Sequence, residues 1–159
     1  MRKVQQEASF HLTITSDPLE VPRIQDHIEG RLKEHHFEDR DIFSIRLALE
    51  EALVNAIKHG NQLDRAKKVH IDCAIKHDRF EVGIADEGPG FDPQDVPDPL
   101  CEENLERACG RGLLLIRHYM TDVTYHAPGN RLTMFKLRRV NGHPYLNGKA
   151  HLNGNGQHS

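Results

Sequence analysis

Glu51-Ala52-Leu53-Val54-Asn55-Ala56-Ile57-Lys58-His59-Gly60-Asn61 closes a run that begins at Asp39 and reads as the best helix of the chain. Ile42, Ile45, Leu49, Ala52, Leu53 and Ala56 form one apolar stripe, Asp39 can cap the N-terminus, and Gly60-Asn61 stops the run as a left-handed C-cap would. With Glu51 at zero on a wheel of about 100° per residue, Asn55, Lys58 and His59 fall near it and the apolar stripe centres roughly 150° away. One polar seam therefore runs down the helix. Leu47, Ala48 and Val54 lie within about 60° of Glu51 on the same side, so this is not an ordinary solvated face. Alkyl neighbours desolvate a carboxylate, raise its proton affinity and suit it to take a proton from a nucleophile. The same spacing also fits a surface glutamate paired with Lys58 or Asn55 across a turn.

Outward from that helix, Ser9–Thr15 alternates polar and β-branched apolar residues, the period of a half-buried strand. Val21, Ile24, Ile28 and Leu32 recur at helical spacing between Glu20 and His36, with Pro22 tolerable near the helix start. Val69–Ile75 and Phe80–Ala85 alternate in period two around Lys76–Arg79, which predicts a hairpin. A long acidic loop, Asp86–Cys109, carries Pro89, Pro93, Pro97 and Pro99, and loops of this length in compact domains are often functional lids. A helix over Gly112–Met120 follows, then strands at Val123–Tyr125 and Leu132–Leu137 joined through Pro128-Gly129-Asn130. Strands paired mainly as hairpins, with helices inserted between them, predict an α+β two-layer sandwich: a mixed, mainly antiparallel sheet with helices on one face. The expected division is an N-terminal tail over 1–8, one domain over 9–140, and a disordered Asn-, Gly- and His-rich tail over 141–159.

The 159 residues suit one domain, and 21 Lys+Arg against 24 Asp+Glu leave a net charge of −3, with no positive field to draw nucleic acid or an anionic membrane. No apolar run approaches the ~20 residues a bilayer needs, and no apolar segment follows the basic N-terminus as in a secretory signal. The 3 cysteines include no Cys-x-x-Cys, and together these features predict a protein of a reducing cytoplasm. Among the 12 histidines, His35 and His36 are adjacent and diverge on a helix, so no dedicated zinc site is expected.

Two glycine motifs complete the candidate chemistry. Asp86-Glu87-Gly88-Pro89-Gly90 follows a buried strand; its glycines let a flat ligand approach the backbone, and Asp86 offers an acceptor to an amino group. A surface turn built on aspartate fits the same residues. Gly110-Arg111-Gly112-Leu113 sits at a helix start, where unpaired amides attract anions, and Arg107 and Arg111 add positive charge. A glycine-capped helix without a ligand fits equally.

Taken in order, the helical Glu51 with Asn55, the strand-end Asp86-x-Gly88-x-Gly90 and the Gly110-x-Gly112 helix start resemble the Bergerat-fold ATP-binding domain. That domain is shared by gyrase, the ninety-kilodalton heat-shock chaperone, histidine kinases and mismatch-repair ATPases. Within this superfamily the chain is most similar, from about Phe10 to Arg138, to the anti-sigma-factor serine kinases of bacterial partner-switching systems. The resemblance implies ATP and Mg²⁺ as cofactors, Glu51 as general base, and Asn55 as the residue that holds the metal. It also implies Lys58 and His59 on the phosphate side, Asp86 on the adenine amino group with Gly88 and Gly90 as the adenine wall, and phosphate held at Gly110, Arg111, Gly112 and Leu113. Arg107 matches the arginine that reaches the terminal phosphate. The implied partners are an anti-anti-sigma-like antagonist phosphorylated on serine, a sigma factor, and a second copy of the chain in a homodimer. A nucleotide-gated binding module without phosphotransfer, or a simple ATPase, are the competing activities. The chain departs from the pattern at Gly129-Asn130-Arg131, where threonine often follows the glycine, and in lacking a Thr-Thr-Lys run before Arg107.

Overall fold

The computed structural model describes residues 7–89, 108–126, 130–146 and 149–150, and the backbone alone for 108–113, 144–146 and 149–150. The chain runs β1 (Ala8–Thr15), α1 (Glu20–Glu34), α2 (Asp39–Val54), a π-helical turn (Asn55–Gly60), β2 (Lys68–Ile75) and β3 (Arg79–Ala85). It continues through α3 (Ala108–Tyr119), β4 (Asp122–His126), β5 (Arg131–Leu137), β6 (Arg139–Val140), β7 (His143–Leu146) and β8 (Lys149–Ala150).

Five strands form one sheet in the order β1-β2-β3-β5-β4. Every pairing in it is antiparallel, which corrects the expectation of a mixed sheet for the described residues. The reason lies in the connections. Two successive helices return the chain from β1 to the same end of the sheet, so β2 runs back along β1. The single helix α3 carries the chain across, but β5 inserts between β3 and β4 and separates the two like-directed strands.

Period-two alternation holds on the central strands: Val69, Ile71, Cys73 and Ile75 on β2, and Phe80, Val82 and Ile84 on β3, are buried under the helices. Ile42, Ile45, Leu49, Ala52, Leu53 and Ala56 meet them from the helical layer, so the predicted stripe is the core face of α2. α1 and α3 pack on either side of α2. The opposite face of the sheet carries polar residues in register, His11 beside Asp72 and Thr133 beside Thr124.

Helix boundaries depart from the sequence reading in instructive ways. The N-cap of α2 is Glu38, with an extended backbone (φ −70°, ψ 149°), and Asp39 falls in the first turn, where its charge still complements the helix dipole. The helix does not continue as an α-helix to His59; it widens at Asn55 into the π-helical turn, closed by the Asn61 N–H donating to Ala56 O (2.8 Å). Gly60-Asn61 is no left-handed cap either, since the positive-φ residues are the next two, Gln62 (54°) and Leu63 (62°). α3 is already helical at Ala108, the first residue described after 89, ahead of the expected start at Gly112.

Pairing also runs past Val140, into the stretch expected to be a disordered tail. β6 and β7 form a hairpin whose two-residue turn is Asn141 (φ 57°) and Gly142 (φ 82°), the sequence such turns favour, and β8 pairs with β7. Arg139 N–H donates to Asp41 Oδ2 (2.8 Å) and Asn141 N–H to Glu38 Oε2 (2.7 Å), so the hairpin is tied to the first turn of α2.

Candidate functional site

Glu51 lies in the last turn of α2 and Asn55 one turn further, at the start of the π-helical turn. Both are half-buried. A spacing of four residues puts them on one face, as the sequence seam requires. Asn55 Nδ2 is buried and has no hydrogen-bond partner among the described residues. An unpaired buried amide costs about 1–3 kcal/mol. Turned with its oxygen at that position, the side chain is a suitable ligand for a hard divalent cation, so the residues present fit Mg²⁺. Widening of the helix at Asn55 breaks the simple wheel, and Lys58 and His59 come out exposed to solvent.

Across from this turn, Asp86 follows directly on β3. Its backbone continues the β3–β5 ladder: Asp86 N–H donates to Asn130 O (2.9 Å), and Asn130 Nδ2 donates back to Asp86 O (3.3 Å). The carboxylate accepts from Gly88 N–H (2.8 Å) through Oδ1. Burial pushes its pKa above the ordinary carboxylate value, against the smaller lowering effects of the Gly88 amide and the Lys67 charge. Close approach here depends on two glycines. A Cβ at Gly60 would overlap the Asp86 carboxylate, and a Cβ at Gly88 would overlap the Gly60 carbonyl oxygen. The π-helical turn and the Asp86 loop are thus pressed together, with the acidic acceptor between them.

Asn61 fastens this junction. It is fully buried; its Nδ2 donates to Ser16 Oγ (2.8 Å) and Lys68 O (3.0 Å), and its Oδ1 accepts from Glu87 N–H (2.8 Å). Gly60, Asn61 and Asn130 were not singled out as site residues by the sequence. Gly60-Asn61 carries a stop signal whose side-chain role only the three-dimensional neighbours reveal, and Asn130 stands out in the sequence as a turn residue and as a departure from the family pattern.

α3 packs against both α2 and the π-helical turn, which brings the segment of Gly110, Arg111, Gly112 and Leu113 to the same region of the molecule. The earlier start of α3 changes what that segment offers. Gly112 and Leu113 follow Ala108 by four and five residues within α3, so their amides belong to the helix's own bonding. Gly90 and Arg107 lie outside the described residues.

The arrangement is a helix-borne carboxylate and amide, a half-buried acidic acceptor at a strand end, and a helix start packed beside them. It defines a class: residues 14–136 match the histidine kinase-like ATPase domain, and the chain belongs to that family. Over 104 residues the chain is 34% identical to the anti-sigma F factor of Oceanobacillus iheyensis, covering 63% of this chain and 70% of that protein. Over 146 residues it is 29% identical to the serine-protein kinase RsbW of Listeria monocytogenes, covering 81% of this chain and 89% of the relative. The RsbU and RsbW domains of a Mycobacterium tuberculosis protein share the fold, with a TM-score of 0.58 at 14% identity over 83% of this chain. The chain spans 32% of that structure. Among the described residues no helix is long and apolar enough to cross a membrane.

Proposed function

We propose that this chain is an Mg²⁺·ATP-dependent protein serine kinase that also serves as an anti-sigma factor in a bacterial partner-switching system. The observation that carries the reading is that Asp86, a half-buried acceptor held beneath Gly60, meets the π-helical turn that continues the helix of half-buried Glu51, a turn begun by Asn55, whose buried Nδ2 has no partner among the described residues. The names of the relatives, an anti-sigma F factor and serine-protein kinases, agree with it.

In this reading Asp86 accepts from the adenine amino group, and Gly88 and Gly90 border the ring. Mg²⁺, when bound at Asn55, neutralises charge on the nucleotide phosphates. Lys58 and His59, exposed at the end of the turn, add donors on the phosphate side, as do the amides at the start of α3 around Gly110. Arg107 steadies the transferring group. Glu51 takes the proton from a serine hydroxyl of the antagonist as that oxygen bonds to the terminal phosphorus and the bridging bond to ADP breaks. The outer edge of β1, one of the two edge strands and unpaired on that side among the described residues, would let two copies join sheets as a homodimer.

The test is incubation with labelled ATP and an antagonist domain. Label on an antagonist serine with the wild-type chain, and none with Glu51→Gln, is the expected result. Nucleotide binding without label on any serine would instead make the chain a nucleotide-gated binding module. Free phosphate released without an antagonist would make it a simple ATPase.

A further inference from the structure

Asn61 occupies the point where three segments meet: the β1–α1 connection at Ser16, the start of β2 at Lys68, and the loop that presents Asp86. Its amide orientation is set by chemistry, because Lys68 O can only accept and Glu87 N–H can only donate. All three of its side-chain bonds are therefore directional. Ser16, itself buried, donates onward to Lys67 O (2.7 Å), which anchors the far side of the amide.

The backbone around Asn61 is strained. Gln62 and Leu63 both take the left-handed conformation, which costs energy in residues with a Cβ. Such strain persists only where the surroundings over-determine it, and it gathers at ligand clamps. Here Leu63 N–H donates to Ile57 O (2.9 Å) and Asp64 N–H to Asn61 O (3.0 Å), so the strained pair folds the chain back under the π-helical turn. The turn thereby holds Gly60 against Asp86 and aims Asn61 at Glu87, the residue after the acceptor.

We propose that Asn61 is a positioning residue for base selection: by holding the Glu87 amide it fixes the direction in which Asp86 presents its carboxylate to the purine amino group. The Glu87 N–H is one residue from the Asp86 side chain, and the opposite side of Asp86 is already fixed by Asn130. Glu87 is also held to β2 through its exposed carboxylate, which accepts from Lys68 N–H (3.0 Å) and meets His70 Nε2 (2.8 Å), so releasing the Asn61 bond frees the Glu87 backbone amide beside Asp86 while the side-chain tether and the Asn130 side stay in place. Loss of orientation weakens the contact with the amino group while leaving phosphate contacts intact. The inference rests on the reading of Asp86 as the adenine acceptor.

The test is calorimetric titration of the full chain with Mg²⁺·ATP and with Mg²⁺ and the triphosphate of purine riboside, which lacks the exocyclic amino group. The wild-type chain is expected to prefer ATP by about tenfold or more, the scale of a charge-assisted hydrogen bond. Asn61→Leu should reduce that preference to about twofold or less, with affinity for the amino-free analogue changed little. Asn61→Asp, which keeps an oxygen for the Glu87 amide but loses both donors, should retain the preference even where its thermal midpoint falls. This contrast separates aiming from stability. An undiminished preference in folded Asn61→Leu overturns the inference. If Asn61→Leu does not fold, Ser16→Ala decides: it removes one of the two acceptors that hold the amide, leaving Lys68 O, and should lower the preference about threefold, and an unchanged ratio overturns the inference. A wild-type chain that binds both triphosphates alike removes Asp86 from the amino group, and the inference with it. That outcome is distinct from a preference that survives loss of Asn61.

Discussion

Glu51 and Asp86 are both half-buried carboxylates, and the account gives them separable work. Glu51→Gln keeps shape and polarity but removes the proton acceptor, so phosphotransfer should fall by about 10²–10⁴-fold in a single-turnover assay while ATP affinity stays the same. Asp86→Asn should do the reverse at the binding step, raising the dissociation constant for ATP by about 10–100-fold, because an amide can present a donor where the amino group needs an acceptor. Acidity gives an independent check. The raised pKa of Asp86 means that it takes up a proton above the ordinary carboxylate value of 3.8, so ATP affinity should decline with falling pH before unperturbed carboxylates titrate. Affinity in Asp86→Asn, measured by the same titration series, should lack that decline. The linkage to stability has the opposite sign. A carboxylate whose folded pKa is raised favours the fold at low pH and loses that contribution as pH rises through the folded value. At neutral pH, Asp86→Asn should therefore melt no lower than wild type, since the Gly88 N–H retains an oxygen partner.

At the scale of elements, α2 and the β2–β3 hairpin were legible because burial imposes their periods directly. Leu53 illustrates this: it lies on the apolar stripe and is fully buried, so Leu53→Ala should cost about 2–5 kcal/mol in urea denaturation. The π-helical turn was not legible. A wheel at fixed rotation carries Glu51 to Asn55 correctly, but nothing in Ala56-Ile57-Lys58-His59 announces that the next turn widens. Gly60 likewise reads as a helix stop, whereas its missing Cβ makes room for the Asp86 carboxylate. Gly60→Ala should consequently weaken ATP binding by about tenfold or more in the same calorimetric assay, because the acceptor must turn away from its place. Glycine suggests an end of helix, yet Gly110 and Gly112 lie inside α3. The polar composition after Val140 concealed a hairpin whose Asn141-Gly142 turn was its available signal.

Across the whole molecule, the fold brings together residues distant in sequence: the end of α2, the end of β3 and the start of α3. Conversely, Cys73 is held in the core, 3% exposed, and burial pushes its thiol up to about 12. Its thiolate is scarce at pH 8, so mass spectrometry after brief alkylation should find Cys73 unmodified in the native protein and modified once urea unfolds it. The order of the three sequence motifs was sufficient to suggest the family; the clamps around Asp86 are not legible in it, because Ser16 reaches Asn61, and Asn130 reaches Asp86, only after the sheet has formed. The central claim is that an adenine nucleotide lies between the helix of Glu51 and Asn55 and the loop of Asp86. Calorimetric titration of the full chain with Mg²⁺·ATP, beside Asp86→Asn, tests it most directly. The account predicts saturable heat with one nucleotide per chain, weakened in the variant, and it would be contradicted by a folded wild-type chain that gives no binding heat at millimolar ATP.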